Sequence, residues 1–159
     1  MERKKDFFDA IRSGDEQTVL NLLETDKGLL SSKDERGSTP LILATYYNQK
    51  EITKTLLAKG AAIDDTDGSG NTALMGVCFK GYGELAEILI EAGASVNHVN
   101  AMGATCLIYA ATFNKVEIAQ LLLENGADIY AKDARGNTAL DQAKMQGSQP
   151  LIELLEDKG

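Results

Sequence analysis

The sequence predicts an all-α fold made of about five copies of one helix-turn-helix unit, stacked in series. The first observation is that a Gly-x-Thr-x-Leu pattern occurs four times, with its glycines 33 residues apart. The second is that apolar residues follow each copy at the spacing of an amphipathic helix. A fixed period of this length is typical of repeat architectures, because one such unit cannot bury its apolar face without a neighbour. The repeating glycines are Gly37, Gly70, Gly103 and Gly136.

The first helix of each unit is predicted to begin just after this glycine. Glycine adopts a positive φ without a steric clash, so a sharp turn at this place is favourable. The threonine two residues later can cap the helix, because its hydroxyl can accept a hydrogen bond from the first helical turn. Pro40 suits the first helical position, where the backbone N–H has no helical partner. The predicted capping threonines are Thr39, Thr72 and Thr105.

The second helix of each unit is predicted to follow a turn around Asn48, Gly81 or Asn114. Its first turn carries a glutamate, which the helix dipole favours, and its core face carries apolar pairs four residues apart. A further glycine ends the helix. The glutamates are Glu51, Glu84 and Glu117, and the terminating glycines are Gly60, Gly93 and Gly126.

We expect one domain over residues 1–159. It is divided into an N-terminal capping unit, three full repeats and a C-terminal capping unit, which span 1–33, 34–66, 67–99, 100–132 and 133–159. The N-terminal unit lacks the Gly-x-Thr pattern, and we expect two short helices there, from about Asp6 to Glu24. The last unit is expected to end with a helix that has Pro150 in its first turn. Glu156 replaces an apolar residue of the other second helices, which predicts an array that closes within this chain.

These patterns resemble the ankyrin repeat, a unit of 33 residues with a Thr-Pro-Leu-His-x-Ala signature. The resemblance covers nearly the whole chain, which is similar to small stand-alone ankyrin proteins of bacteria. It implies an all-α ankyrin-repeat solenoid with β-turn finger loops, whose first helices line a concave groove. In the family, a His follows this Leu and ties adjacent loops by hydrogen bonds. This chain has no His at that repeat position, so the rigidity of the loops is left open. The residues in its place are Ile42, Met75, Ile108 and Asp141.

Composition excludes several classes of function. The formal net charge is -8, which argues against a nucleic-acid surface and against docking on anionic lipid. The chain shows no secretory signal and no apolar run long enough to span a membrane, so we expect a cytoplasmic protein. Cys78 and Cys106 form no metal-binding spacing and are expected to be reduced and buried.

Three patterns point to chemistry, and each has a plainer interpretation. Residues 65–70 resemble the start of a calcium loop, but the twelfth position is Gly76 instead of Glu. The plainer interpretation is an acidic, solvated turn of the 33-residue repeat. Residues 68–73 match a dinucleotide-binding fingerprint, but acidic residues precede it where a strand is needed. His98 is the only histidine and lies in a predicted outer turn, where we expect it to be exposed to water. We therefore expect no enzyme activity, no cofactor, no metal and no catalytic residue.

The predicted partner-binding residues lie at three repeat positions. Two are near the end of the first helix, where the resemblance implies a side chain facing the groove, and the third is at the tip of the finger loop. Aromatic residues are favoured anchors of protein interfaces, although some of these could instead be core residues. The residues are Tyr46, Phe79 and Thr112, then Tyr47, Lys80 and Phe113, and at the tips Arg36, Met102 and Arg135.

The sequence thus predicts a non-enzymatic module that binds a protein partner through its concave face and turn tips. We expect a monomer that binds neither nucleic acid nor membrane. An alternative is an inhibitor or regulator of one enzyme or effector that acts through the acidic third repeat, 67–99. The segment 61–99 carries six acidic residues against one basic residue.

Overall fold

The computed structural model describes residues 2–156, and it describes side chains over 3–156. This part of the chain forms ten α-helices and one 3-10 helix, without a β-strand. None of these helices is long and apolar enough to cross a membrane. The predicted all-α class is confirmed. The helices are α1 (Glu2–Ser13), α2 (Glu16–Thr25), α3 (Pro40–Tyr46), α4 (Lys50–Ala58), α5 (Ala73–Lys80), α6 (Gly83–Glu91), α7 (Cys106–Thr112), α8 (Val116–Glu124), α9 (Ala139–Gln146) and α10 (Gln149–Glu156), with the 3-10 helix at Lys27–Ser31.

The helices form two compact units, the first ending at Ala73 and the second beginning at Leu74. In the first unit, α1 packs on α2 and α3, while α4 packs on α2 and α3. In the second unit, α7 packs on α8 and α9, and α8 lies between α6 and α10. Within each unit, first helices therefore pack on first helices and second helices on second helices, as the period predicted.

The core of both units includes the apolar pairs predicted for the second helices. Each of their side chains is at most 4% exposed, and the small Ala44 and Ala110 of the first helices are fully buried. A leucine or isoleucine side chain buried to this degree contributes about 1.5–3 kcal/mol relative to an exposed one. The pairs are Ile52 and Leu56, Leu85 and Leu89, and Ile118 and Leu122.

Two of the predicted helix caps, Thr39 and Thr105, are present, and Thr138 caps a third first helix. The Thr39 hydroxyl accepts a hydrogen bond from the Ile42 N–H at 3.1 Å, and the Thr105 hydroxyl accepts one from the Ile108 N–H at 3.2 Å. Thr138 and Asp141 form a reciprocal capping box at the start of α9. The hydrogen bond from the Thr138 backbone N–H lowers the pKa of Asp141. Each such cap stabilises its helix by about 1 kcal/mol.

The turns between paired helices also follow the prediction. Asn48 and Asn114 have φ angles of 56° and 57°, and Gly81 has a φ of 84°. Asparagine is one of the few residues with a side chain that tolerates this left-handed region. Pro150 lies in the first turn of α10, as expected.

The N-terminal unit differs from the prediction at both of its ends. Helix α1 begins at Glu2 instead of near Asp6, because the charged residues before Asp6 continue the helix. Lys5 pairs with Asp9 one turn later, at 2.8 Å, which favours helix in this stretch. After α2 the chain forms the unpredicted 3-10 helix, whose first turn is capped by Asp26 through the Gly28 N–H at 3.0 Å.

Thr53 in α4 is a buried polar residue whose hydroxyl has no hydrogen-bond partner among the side chains and backbone that the structure describes. We expect Thr53→Val to stabilise the protein by about 1 kcal/mol, because valine fills the same volume without an unsatisfied oxygen. Urea unfolding followed by circular dichroism measures the difference. Thr55→Val is the matched control in the same helix. The Thr55 hydroxyl donates to Glu16 Oε2 at 2.9 Å, so this change should destabilise. A loss of stability in Thr53→Val would contradict the prediction.

Candidate partner-binding site

Each finger loop is held by one side-chain oxygen at its base. In four loops, the Oδ1 atom of an Asp or Asn accepts hydrogen bonds from the backbone N–H groups two and four residues later, at 2.9 or 3.0 Å. The repeating glycine, three residues after this side chain, has a φ between 76° and 84° and donates its N–H back to the base residue. These turns match the predicted β-turn loops. The base residues are Asp34, Asp67, Asn100 and Asp133.

Sequence analysis missed this role of the base residues. Asp67 was interpreted as part of an acidic turn or a calcium loop, although its side chain binds the N–H groups of Ser69 and Asn71. The signal was present, because an Asp or Asn stands three residues before every repeating glycine. Short polar side chains of this kind commonly bond their own turn.

The chemical alternatives find no support in the described residues. No group of three or more metal-binding side chains lies together in 3–156, and no strand precedes Gly68 within 2–156. His98 is partly exposed in its loop.

Cys78 and Cys106 are free and fully buried. A hydrogen bond with Cys106, together with burial, raises the pKa of the Cys78 thiol well above its usual value. The thiolate is the nucleophilic form of cysteine, and these conditions disfavour it. The pair is therefore part of the core and not a candidate nucleophile.

The first unit carries a groove of about 850 Å³ between α1, the two finger loops and the end of α3. Tyr46 and Tyr47 line it, 50% and 44% exposed, with ring centroids 5.2 Å apart and ring planes at 76°. Arg36 lines the groove from the tip of the first finger loop. The structure thus brings three of the predicted binding residues together in this unit.

The second unit carries a separate group of predicted residues. Phe79 and Phe113 are 48% and 40% exposed, and their rings meet edge to face with centroids 4.6 Å apart. Tyr109 extends the cluster, with its ring centroid 6.4 Å from that of Phe113. The Lys80 Nζ atom lies 6.0 Å from the centroid of the Tyr82 ring, so the cation is directed towards an aromatic face. The aromatic residues at these positions are therefore exposed and not part of the core.

The remaining predicted residues differ in how far their side chains are exposed. Met102 is 62% exposed, and Arg36 and Arg135 are exposed at their tips. Thr112 is only partly exposed, and its hydroxyl donates to the Ile108 carbonyl of its own helix at 2.8 Å. This helix contact weakens the case for Thr112 as a binding residue.

Hydrogen bonds tie neighbouring loops within each unit, although the family's histidine is absent. In the second unit the Ala134 N–H donates to the Met102 carbonyl at 3.1 Å. In the first unit the Lys33 ammonium donates to the Thr66 carbonyl at 3.2 Å. One backbone hydrogen bond and one lysine hydrogen bond thus tie neighbouring loops, a role that the resemblance implies for histidine.

Two exposed apolar side chains were missed by sequence analysis. Tyr130 is 65% exposed and Val99 is 53% exposed, both in loops of the second unit. Tyr130 stands at the repeat position of Asn97 and Asp64, where the other repeats are polar. An apolar residue at an otherwise polar repeat position was the signal from which the exposure of Tyr130 could have been predicted.

A family model described as ankyrin repeats, in three copies, matches residues 7–100 and 77–159. The matched ranges together cover nearly the whole chain. The chain belongs to the ankyrin-repeat family. Ankyrin repeats are generally protein–protein interaction modules and are typically not enzymes. The exposed aromatic residues of this ankyrin-repeat protein are accordingly considered as contacts for a protein partner.

Proposed function

We propose that this ankyrin-repeat protein is a non-enzymatic module that holds a protein partner through its exposed aromatic residues and loop tips. One observation carries the proposal. Tyr46 and Phe79 occupy the same repeat position in different units and are both about half exposed, and Tyr47 and Phe113 do the same at the next position. Large aromatic side chains that stay in water at equivalent positions are typical of binding surfaces.

The proposed mechanism is pre-organisation of these contacts. Each aromatic pair holds its rings edge to face, and each finger loop is locked by its base Asp or Asn. A side chain or loop that is ordered before binding loses little conformational entropy in the complex. The arrangement supports binding without any chemical step.

The decisive test removes three anchors at once, by Tyr46→Ala, Phe79→Ala and Phe113→Ala. We expect the triple variant to keep its helical circular dichroism and to lose at least about tenfold in affinity for a partner captured from the native host, because truncation of an interface anchor costs 1 kcal/mol or more. Isothermal titration calorimetry with the purified partner measures the change.

The control variant carries Tyr130→Ala and Val99→Ala. These side chains are as exposed as the anchors but lie outside the proposed site. Wild-type affinity in the triple variant would refute the assignment. An equal loss in the control would show that exposed apolar area in general, and not this site, binds the partner.

A second function, regulation of one enzyme or effector by the acidic third repeat, is favoured by one observation. Glu84, Glu87 and Glu91 are exposed on α6 at spacings that place them on one helix face, and no basic residue lies in that helix. If Glu87→Lys with Glu91→Lys abolished binding while the aromatic variant did not, this function would replace the first.

A further inference from the structure

Asn125 and Gly126, directly after the last residue of α8, form the only Asn-Gly pair in the sequence. Glycine has no Cβ atom, so its backbone nitrogen is uncrowded and the chain around it rotates readily. An asparagine before glycine is therefore prone to lose its side-chain amide, and asparagine is one of the thermolabile residue types. Both residues are exposed in the second unit, so water has access to them.

Loss of this amide needs a ring that closes within the chain. The Gly126 nitrogen loses its proton and attacks Asn125 Cγ, so that a new N–C bond forms. The bond from Cγ to the side-chain nitrogen breaks, and that nitrogen leaves as ammonia. Water then adds to one of the carbonyl carbons of the cyclic imide and opens it, either to aspartate or to isoaspartate, which has an extra backbone carbon atom. No electron is transferred, and water is the only co-reactant.

The folded conformation keeps the two reacting atoms apart. Asn125 has a ψ of 22°, which places the Gly126 nitrogen on the side of the Cα–C bond away from the Asn125 side chain. The side-chain amide of Asn125 donates to the Leu121 carbonyl at 2.9 Å, and the Gly126 N–H donates to the Leu123 carbonyl at 3.3 Å. The ring can therefore close only after the turn that follows α8 has opened locally.

The side chain of Asn97, in the preceding repeat, holds this turn closed. Its Nδ2 atom donates to the Gly126 carbonyl at 3.0 Å, and its Oδ1 atom accepts from the Asp128 N–H at 2.7 Å. These hydrogen bonds join residues 29 and 31 positions apart, so they depend on the packing of the two repeats. Both must break when the turn opens, and they therefore stabilise the closed turn relative to the open one.

We propose that Asn125 is a site of spontaneous deamidation, and that the Asn97 side chain protects it by holding the turn after α8 closed. Asn97 is a positioning residue in this reaction, because it acts on the turn and not on the reacting atoms. The product carboxylate lies at the C-terminal end of α8, where the helix dipole disfavours negative charge. It also cannot donate to the Leu121 carbonyl. The closed turn is therefore less stable after the reaction, and each opening that leads to deamidation leaves a permanent change.

The test follows Asn125 in the full-length protein at slightly alkaline pH, by peptide mass spectrometry and by enzymatic methylation of isoaspartate. In urea, Asn125 should lose its amide faster than any other asparagine of the chain. In the folded wild type the loss should be at least about tenfold slower, because the turn must first open. Asn97→Ala should keep its helical circular dichroism and react about fivefold faster than the folded wild type, because two hydrogen bonds that oppose opening are removed. In urea the two proteins should react at the same rate.

Thr105→Ala is the matched control, because it removes the cap of α7 in the same unit and leaves the Asn97 hydrogen bonds in place. It should react like the folded wild type. Asn97→Asp is a second variant, which cannot donate to the Gly126 carbonyl and should also react faster. Equal rates in folded wild type and Asn97→Ala would overturn the inference. An equal acceleration in Thr105→Ala would overturn it too, since the reaction would then follow global stability and not this turn.

Discussion

Gly103→Ala is expected to destabilise this ankyrin-repeat protein by about 3 kcal/mol, the largest effect of any change considered. Gly103 has a φ of 76°, where a residue with a Cβ atom is strained. A Cβ atom there would also lie 2.7 Å from the backbone nitrogen of Ala134 in the next loop. Because that atom is backbone, no side-chain rotation relieves the clash. The loops must separate, which breaks the hydrogen bond from Ala134 to the Met102 carbonyl.

Gly136→Ala is the matched control, because Gly136 holds the same repeat position with a φ of 84°. Apart from the adjacent residues of the chain, no described residue has an atom within 4 Å of where its Cβ would lie. The variant should lose only about 1 kcal/mol, the cost of the backbone conformation alone. Urea unfolding of the wild type and both variants measures the two losses. Equal losses would show that contact between loops adds nothing to stability.

Asn100→Ala is expected to cost about 2–3 kcal/mol, because it removes an acceptor from two backbone N–H groups at once. Asn100 Oδ1 binds the Met102 and Ala104 N–H groups at 2.9 and 3.0 Å, and Ala104 is only 5% exposed. The Asn100 side-chain amide also donates to the Tyr109 hydroxyl at 2.6 Å. A buried N–H left without an acceptor pays its full desolvation penalty. Unfolding in urea provides the measurement.

Asn100→Asp tests whether the acceptor oxygen is what matters. Aspartate holds the equivalent loops at Asp34, Asp67 and Asp133, and the Asp34 side chain is only 10% exposed. The variant should therefore lie within about 1 kcal/mol of the wild type, since the Tyr109 hydroxyl can reverse its hydrogen bond and donate to the new carboxylate. A loss as large as that of Asn100→Ala would contradict this explanation of the loops.

Elements that depend on interactions between residues close in sequence could be predicted from the sequence. The caps at Thr39 and Thr105 and the positive φ of Asn48 and Asn114 depend on local hydrogen bonds and sterics, and four copies of the pattern repeat the same signal. The loop-base residues were equally local, with contacts only two and four residues away. They were missed because Asp67 was interpreted as an acidic, solvated residue of a repeat turn, without a hydrogen-bonding role for its side chain.

Sequence analysis predicted which repeat positions contribute to the candidate site, but not which of these residues lie together on the surface. Sequence analysis correctly placed Tyr46 and Phe79 outside the core, because leucines elsewhere in each repeat already supplied the core residues. It could not show that Thr112 bonds its own helix or that Val99 is exposed. These outcomes depend on side-chain conformations and on the packing of neighbouring loops.

The sequence by itself determined the helical repeat, its period, its turns and its core, because each depends on contacts that the 33-residue pattern specifies over short distances. Only the tertiary structure decided which groups remain available for a partner. Phe79 meets Phe113 across 34 residues, and Asp9, Asp34 and Arg12 come together from two repeats. A charge is available only when nothing near it in space has already paired with it, and that depends on residues far away along the chain.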